Sequence, residues 1–251
     1  MKNKIKRIVS KKLINLDFIE SFVNYSKGIG YGPSLETEVM YLVNTNSKEF
    51  ILFDIGANIG EYSIMVSRKY PKSRIYSFEP SKYTYKLLTN NVRHETRIKP
   101  INLAFGENDT KMNLYSNHEG SGMASFYQRD LKDTSIKFNQ SEIVDVVTLD
   151  NWVDLNNIIP DYIKIDVEGS ELSVLLGSIN TLRHVKAVQF EFGGTAIDAR
   201  TYFRDYWNLF KEIDFSIYRY SPSGPMRITE YSEKEERFEY MNYVAVSNNK
   251  N

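Results

Sequence analysis

The run Phe53-Asp-Ile-Gly-Ala-Asn-Ile-Gly-Glu61 decides the fold. It is entered from Phe50-Ile-Leu-Phe53, a short all-apolar stretch of the kind that fills a strand buried on both faces of a parallel sheet. It leads into a helical pattern from about Glu61, with Tyr62, Met65 and Val66 on one face. Gly56 and Gly60 allow the backbone to turn sharply and approach a ligand, and Asn58 tolerates left-handed dihedrals. A glycine loop between a first buried strand and its helix stands where open α/β sheets hold nucleotide-type ligands.

The strand–helix rhythm continues outward. Arg74–Phe78 reads as a second strand, Tyr85, Leu88 and Val92 mark a second helix, and Ile98–Phe105 holds a third strand. From about 110 to 149 short alternating segments, Lys111–Tyr115 and Glu142–Leu149, predict a β-rich insertion. The rhythm then resumes with strand Asp161–Ile165, a helix lined by Leu172, Leu175, Leu176 and Ile179, and strand Ala187–Phe192. A helix with Phe203, Tyr206, Trp207 and Phe210 inward follows. Phe215–Tyr220 and Tyr240–Val246 close the chain as two strands joined by a polar loop, so they are expected to pair antiparallel. The sum is α/β: a Rossmann-like, doubly wound, mostly parallel sheet of seven strands with a small β-rich insertion. Upstream, Leu13, Leu16, Ile19 and Val23 predict an amphipathic helix over 12–24. After the turning segment Gly28–Pro33, Ser34 caps a second helix striped by Leu35, Val39 and Leu42. Residues 1–47 therefore read as a helical N-terminal cap on a domain spanning 48–251.

Composition narrows the function classes. With 41% hydrophobic and 25% charged residues among 251, the chain is too apolar to be disordered. No apolar run approaches the ~18 residues of a membrane-spanning helix. The absence of cysteine excludes a disulfide scaffold, a zinc–thiolate site, an iron–sulfur cluster and a thiol nucleophile. Equal numbers of basic and acidic residues, 32 of each, leave no global field to draw nucleic acid. The first twelve residues carry six basic side chains and no acidic one, without the apolar core of a signal peptide. This tail reads as solvated, or as a weak contact with a membrane surface; the expected place of work is the cytoplasm.

Two acids specify the ligand. Glu79 closes the second strand 19 residues after Gly60, where a carboxylate can take both ribose hydroxyls of a dinucleotide or an adenosyl group. A dinucleotide loop needs Gly-x-Gly-x-x-Gly, with pyrophosphate over the helix N-terminus. Here Glu61 sits where phosphates would go and Asp54 adds a second negative charge. Two carboxylates repel pyrophosphate and suit the ammonium and sulfonium of S-adenosylmethionine, which is therefore preferred over NAD.

Four segments together resemble the FkbM family of S-adenosylmethionine-dependent methyltransferases: Phe53–Ser63, Tyr76-Ser-Phe-Glu-Pro80, Thr148-Leu-Asp-Asn-Trp152 and, most specific, Tyr162-Ile-Lys-Ile-Asp-Val-Glu-Gly-Ser-Glu171. The likeness runs from about Gly32 to Ser247. It implies the class I methyltransferase sheet, S-adenosylhomocysteine as product, and methylation of a hydroxyl on a glycan or a glycosylated small molecule. By that resemblance Asp54, Gly56, Asn58 and Gly60 hold the methionine end of the cofactor and Glu79 its ribose. Asn102 and Ala104 lie near the adenine, and Ser125 is a further contact from the insertion. Glu36 or Glu38 reaches back from the cap.

Methyl transfer needs an aligned acceptor and removal of its proton. Asp166 ends the fourth strand at the ligand-binding edge, Glu168 follows two residues later, and Glu191 ends the fifth strand on the same edge. Any of the three is a candidate base or orienting group, while Glu168 and Glu171 also suit a helix N-terminus. Asp166 with Glu191 offers oxygen ligands to a divalent cation, but a metal-free site is preferred. His118 in the insertion, and Tyr218, Tyr220 and Tyr231, are candidates for contact with the acceptor. Alternatives are an N-methyltransferase of the same fold and a cofactor-binding, non-catalytic partner subunit. Acceptor identity and oligomeric state are not encoded legibly.

Overall fold

The computed structural model of the protein describes residues 18–43, 49–129, 131 and 134–249. Strand β1 (Ile51–Ile55) lies within an eight-stranded sheet, flanked in parallel by β2 (Arg74–Phe78) and β7 (Tyr162–Ile165). Beyond β2 comes β3 (Ile98–Ile101), and beyond β7 comes β8 (Ala187–Phe192), all parallel. The chain winds outward from β1 to β3, then returns to place β7 against β1. That reversal makes a topological switch point, the place where open α/β sheets form a ligand crevice at the carboxyl ends of the strands.

All seven expected strands are present. β11 (Met241–Ser247) inserts antiparallel between β8 and β9 (Phe215–Arg219), and an eighth, unforeseen strand, β10 (Met226–Ile228), joins the outer edge from within the polar loop. The third expected strand divides: β3 stops at Ile101, and Ala104–Phe105 leaves as β4 for a second sheet. There it pairs with β6 (Gln140–Val147), which pairs antiparallel with β5 (Thr110–Ser116); this small sheet is the β-rich insertion.

The apolar runs bury two helix-covered faces. Every residue of β7 is buried, as a central parallel strand requires. On one face Phe53, Phe78 and Phe105 meet Trp152 edge-on, with ring centroids 5.1–6.4 Å apart. Trp152 belongs to α5 (Leu149–Asn156), capped by Thr148 Oγ1, which accepts from Asn151 N. On the other face Leu52 and Ile75 pack with Tyr62 and Val66 of α3 (Glu61–Lys69) and Leu88 of α4 (Lys82–Asn91). Each fully buried side chain of this size contributes about 1.5–3 kcal/mol. The helix expected over Leu172–Ile179 is two, α6 (Glu171–Leu176) and α7 (Ile179–Leu182). They break at Gly177, whose missing Cβ would stand 2.0 Å from the Gly106 carbonyl oxygen. A short α8 (Thr195–Ala199) precedes α9 (Phe203–Glu212), which buries Phe203, Tyr206 and Phe210 as the periodicity requires.

At the N-terminal end residues 18–26 form helix α1. Residues 1–17, with the basic tail and the start of the expected 12–24 helix, lie outside the described residues. Ile19 and Val23, half of the expected apolar stripe, are exposed. The second helix, α2 (Leu35–Leu42), is capped by Ser34 and buries Val39 and Leu42 as expected. Among the described residues no helix is long and apolar enough to cross a membrane.

Candidate active site

The carboxyl ends of β1, β2 and β7 and the insertion enclose one cleft of about 580 Å³, open solvent included, lined in part by Gly56, Asn58, Glu79, Ala104, Asp166 and Glu168. Gly56 brings the β1 loop and the β7 end together. Its φ is +78°, and a Cβ would fall 1.8 Å from the Asp166 carbonyl oxygen. Asn58 follows in the left-handed region with φ +48°. Gly60 (φ +91°) does not line the cleft; it packs against Leu88, whose Cδ1 would lie 2.6 Å from a Cβ there, and opens α3.

Glu79 is buried at the end of β2. Its Oε2 accepts from Asn58 N at 3.0 Å and its Oε1 from Ser81 N at 2.9 Å. Burial outweighs these bonds and holds its carboxyl up at about 7. The Asn58 side-chain oxygen is buried without a hydrogen-bond partner. It is an acceptor awaiting a donor.

Two residues expected near the cofactor brace the backbone around the cleft. Asn102 is exposed and outside the cleft lining; its amide donates to the carbonyls of Glu79 and Pro80, both at 2.8 Å. Ser125 is fully buried, and its hydroxyl donates to the Glu168 carbonyl at 2.6 Å, tying the insertion to the turn after β7. Its neighbours Ala124 and Phe126 are the ones that line the cleft.

Asp54 lies buried behind the loop. Ser63 Oγ donates to its Oδ2 at 2.7 Å, and its Oδ1 faces Lys164 Nζ at 3.6 Å. Lys164 also reaches Asp166 Oδ2 at 3.2 Å and lies 5.3 Å from the centre of the Tyr62 ring. The carboxylates of Asp54 and Asp166, with Glu38 nearby, outweigh the desolvation and hold the Lys164 ammonium above its usual range. Asp54 and Asp166 were candidates from the sequence, whereas Lys164, which joins them, was not singled out although a lysine inside a wholly buried strand is unusual.

Of the two acids on α2, Glu36 is on the surface beside Lys69, whereas Glu38 turns inward and accepts from Gln189 Nε2 at 2.8 Å. Burial raises its carboxyl pKa. Glu168 has φ +53°, a strained backbone for a side chain of this size. Its Oε2 lies 3.4 Å from Arg129 Nη1, and Arg129 Nε lies 3.4 Å from Asp198 Oδ2. This largely buried arginine of the insertion had no recognisable signal in the sequence. Burial, then the charge of Asp166, lifts Glu168 to about 7. Glu171 is structural: its carboxylate accepts from Val167 N and Gly169 N, all at 3.0–3.1 Å, and closes the turn before α6.

Glu191 does not line the cleft, yet its carboxyl is raised well above the carboxylate range by burial and by the charges of Asp166, Glu171 and Glu168. Tyr240, 44% exposed, feels the charges of Glu191, Glu38 and Asp166 and stands on the same edge. Tyr220 is fully buried beneath, so the expectation that it stacks on an acceptor fails. Its hydroxyl and that of Tyr62 each donate to Gln189 Oε1 at 3.4 Å. Tyr231 donates to Glu236 Oε1 at 2.8 Å. His118 lines a neighbouring groove with Lys82 and Lys86. Among the described residues no group of three or more His, Asp or Glu side chains is arranged to hold a metal ion.

A glycine loop opening on the switch point of a mostly parallel sheet, with a buried acid closing the second strand, defines a Rossmann-like α/β protein of the class I methyltransferase type. The Methyltransferase FkbM domain family matches residues 54–217, and the chain belongs to that family. The hexuronic acid methyltransferase AglP of Haloferax volcanii is 27% identical over 158 residues, covering 61% of this chain and 60% of that protein. Methyltransferase 1 of Beauveria bassiana is 24% identical over 165 residues, covering 64% of this chain and 62% of that protein. The matches thus span less than two thirds of these relatives' lengths. The crystal structure of the FkbM methyltransferase from Methylobacillus flagellatus is similar with a TM-score of 0.49 at 21% identity, over 78% of this chain and 44% of that one.

Proposed function

We propose that the protein transfers a methyl group from S-adenosylmethionine to a hydroxyl of a sugar-bearing acceptor, releasing S-adenosylhomocysteine. The observation that carries this reading is that Glu79, the unpartnered Asn58 oxygen and Asp166 line one cleft.

The residues fit the cofactor. Each Glu79 oxygen already accepts one backbone N–H and keeps a lone pair for a ribose hydroxyl. The Asn58 oxygen suits an ammonium donor, and Leu103, Ala104, Phe105 and Leu114 offer an apolar wall to an adenine ring. No Lys, Arg or His is among the cleft-lining residues, so nothing there balances the charge of a pyrophosphate.

When bound, S-adenosylmethionine supplies a methyl group already activated on sulfonium. The protein's own task is then to align the acceptor and remove its proton. Lys164 fixes one oxygen of Asp166 by its ammonium, and the Asp166 carboxylate accepts the hydroxyl proton as general base. Glu168, which lines the cleft with its carboxyl raised to about 7, donates a hydrogen bond to an acceptor oxygen when protonated. Support for a sugar acceptor comes from the relative named as a hexuronic acid methyltransferase.

The test is a panel of p-nitrophenyl glycosides, a glucuronide, a glucoside and a glucosaminide, incubated with the cofactor and read by mass spectrometry. A gain of one methyl group on a sugar hydroxyl is the expected result. Methylation confined to the amine would move the assignment to N-methyl transfer, and none on any sugar would overturn the acceptor class.

A further inference from the structure

Helix α1 presents a largely exposed apolar face. Phe18 is 71% exposed, Phe22 64%, Ile19 56% and Tyr25 50%. Phe18, Phe22 and Tyr25 recur at i, i+4 and i+7, with Ile19 and Val23 beside them, so the five share one broad side of the helix. Contiguous exposed apolar side chains of this kind mark a surface that meets a partner or a membrane.

The root of the helix is built into the body: Arg219 Nε donates to the Lys27 carbonyl at 2.7 Å, and Gly28 (φ +82°) presses so close to the Tyr220 carbonyl oxygen that a Cβ would stand 1.8 Å from it. Ile29 is buried. Gly32, a few residues on, lies beside the Tyr240 ring, 3.7 Å from a would-be Cβ, so the root borders the edge that carries Glu191 and Asp166. The first twelve residues hold Lys2, Lys4, Lys6, Arg7, Lys11 and Lys12 and no acid, leaving 26 basic against 32 acidic residues, Asp17 among them, in the rest of the chain. The positive excess is thus concentrated in the first twelve residues of the sequence.

We propose that this end docks on an anionic lipid surface, with the Phe18, Ile19 and Phe22 face inserted at the headgroup boundary and the basic segment held by surface charge. Clusters of four to eight Lys or Arg beside an amphipathic helix bind anionic lipid, each contributing ~1 kcal/mol near the surface. A single short apolar face gives marginal binding, and two signals together give stable attachment. The acidic body is repelled by the same surface, which orients the molecule with its basic end down. The proposal stands on this helix and its charges and is independent of the reaction assigned above.

Sedimentation of the full chain with vesicles tests it. The expected result is binding to vesicles of phosphatidylglycerol and phosphatidylcholine in equal parts and none to phosphatidylcholine alone. Raising salt from 0.1 to 1 M, which shortens the screening length from ~10 to ~3 Å, releases the protein. Phe18→Ser with Phe22→Ser lowers the partition coefficient at least tenfold, and so does replacing Lys2, Lys4, Lys6 and Arg7 by Gln. Melting temperature and S-adenosylhomocysteine affinity stay unchanged in both variants. Failure to bind anionic vesicles overturns the proposal, including the case in which the helix pairs two copies, seen as a dimer lost in the double serine variant. Vesicle binding that survives both sets of substitutions overturns it as well.

Discussion

The Lys164 ammonium lies 3.2 Å from the Asp166 carboxylate, two residues further along the same strand end. Side chains two apart on a strand share a face, so β7 itself supplies both partners, and Asp54 of β1 completes the cluster at 3.6 Å. The lysine side chain is 8% exposed and Asp54 is fully buried, whereas the Asp166 side chain is 41% exposed. One cation therefore joins a buried anchor to an acid that opens on the cleft.

Lys164→Met removes the cation and strands Asp54 in the interior with Ser63 as its hydrogen-bond donor. Breaking a buried pair by removing one partner costs ~3–5 kcal/mol. For a chain of this size that lowers the melting temperature by roughly 6–20 °C. Adding Asp54→Asn to Lys164→Met removes the stranded charge and recovers part of the loss. Thermal denaturation followed by circular dichroism reads both. A melting point within about 2 °C of the unaltered chain would mean that the pair contributes no net stability.

The raised carboxyls set a pH dependence. Glu79, Glu168 and Glu171 each rise from an ordinary 4.5 to about 7 because burial penalises the charged form. The folded chain thus binds protons more tightly than the unfolded one. The stability from this source is fully present below about pH 4.5 and is lost as pH rises through about 7. The ligand-free protein should melt progressively lower between about pH 5 and pH 8. A cationic ligand beside Glu79 favours its ionised form, so S-adenosylmethionine binding releases protons and tightens over the same interval. Calorimetry in buffers of different ionisation enthalpy measures that release; no proton release near pH 6 would place the ligand away from Glu79.

The parallel core was legible because its information is local. Runs such as Tyr162–Ile165 and Ala187–Phe192 are apolar on both faces, and glycines punctuate their ends. The eighth strand was hidden because Met226-Arg-Ile228 is short and half polar, and only the β9 edge makes it a strand. Glu79 was visible at a strand end, and Asp166 and Glu168 sat in a recognisable motif. Arg129 and Glu38 were not predictable as partners, because their contacts with Glu168 and Gln189 span 39 and 151 residues. The side-chain hydrogen bonds of Asn102 and Ser125, both expected near the cofactor, go to the backbone of Glu79, Pro80 and Glu168. Position along the chain does not say which way a polar side chain spends its donor.

Glu79→Ala tests the cofactor site directly. It removes two acceptors aimed at ribose hydroxyls, and hydrogen bonds to a charged group contribute ~1.5–3 kcal/mol each. S-Adenosylmethionine affinity should fall at least about tenfold, equivalent to ~1.4 kcal/mol. NAD should bind neither the unaltered chain nor the variant, since the cleft lining offers no cation to a pyrophosphate. Isothermal titration separates the cases. Tight NAD binding by the unaltered protein would discard the cofactor assignment, and unchanged affinity in Glu79→Ala would put the ribose elsewhere.

Asp166→Asn separates binding from chemistry. Asparagine keeps the size and polarity of aspartate but cannot take a proton. The Asp166 backbone is held by its N–H to the Ile55 carbonyl at 3.0 Å, so the substitution leaves the strand end in place. If Asp166 is the base, turnover falls by roughly 10²–10⁴, the usual contribution of a positioned general base. S-Adenosylmethionine affinity changes less than about threefold, under ~0.7 kcal/mol. Glu168→Gln should cost less, because that carboxyl already carries a proton for much of the neutral range and its oxygen also faces Arg129. The pH profile distinguishes the two: Glu168→Gln removes the titration of a carboxyl held at about 7, whereas Asp166→Asn lowers turnover at every pH. Turnover is read as S-adenosylhomocysteine formed with whichever glycoside of the panel accepts a methyl group. Near-normal turnover in Asp166→Asn would remove the base from this position and transfer the role to Glu168 or Glu191.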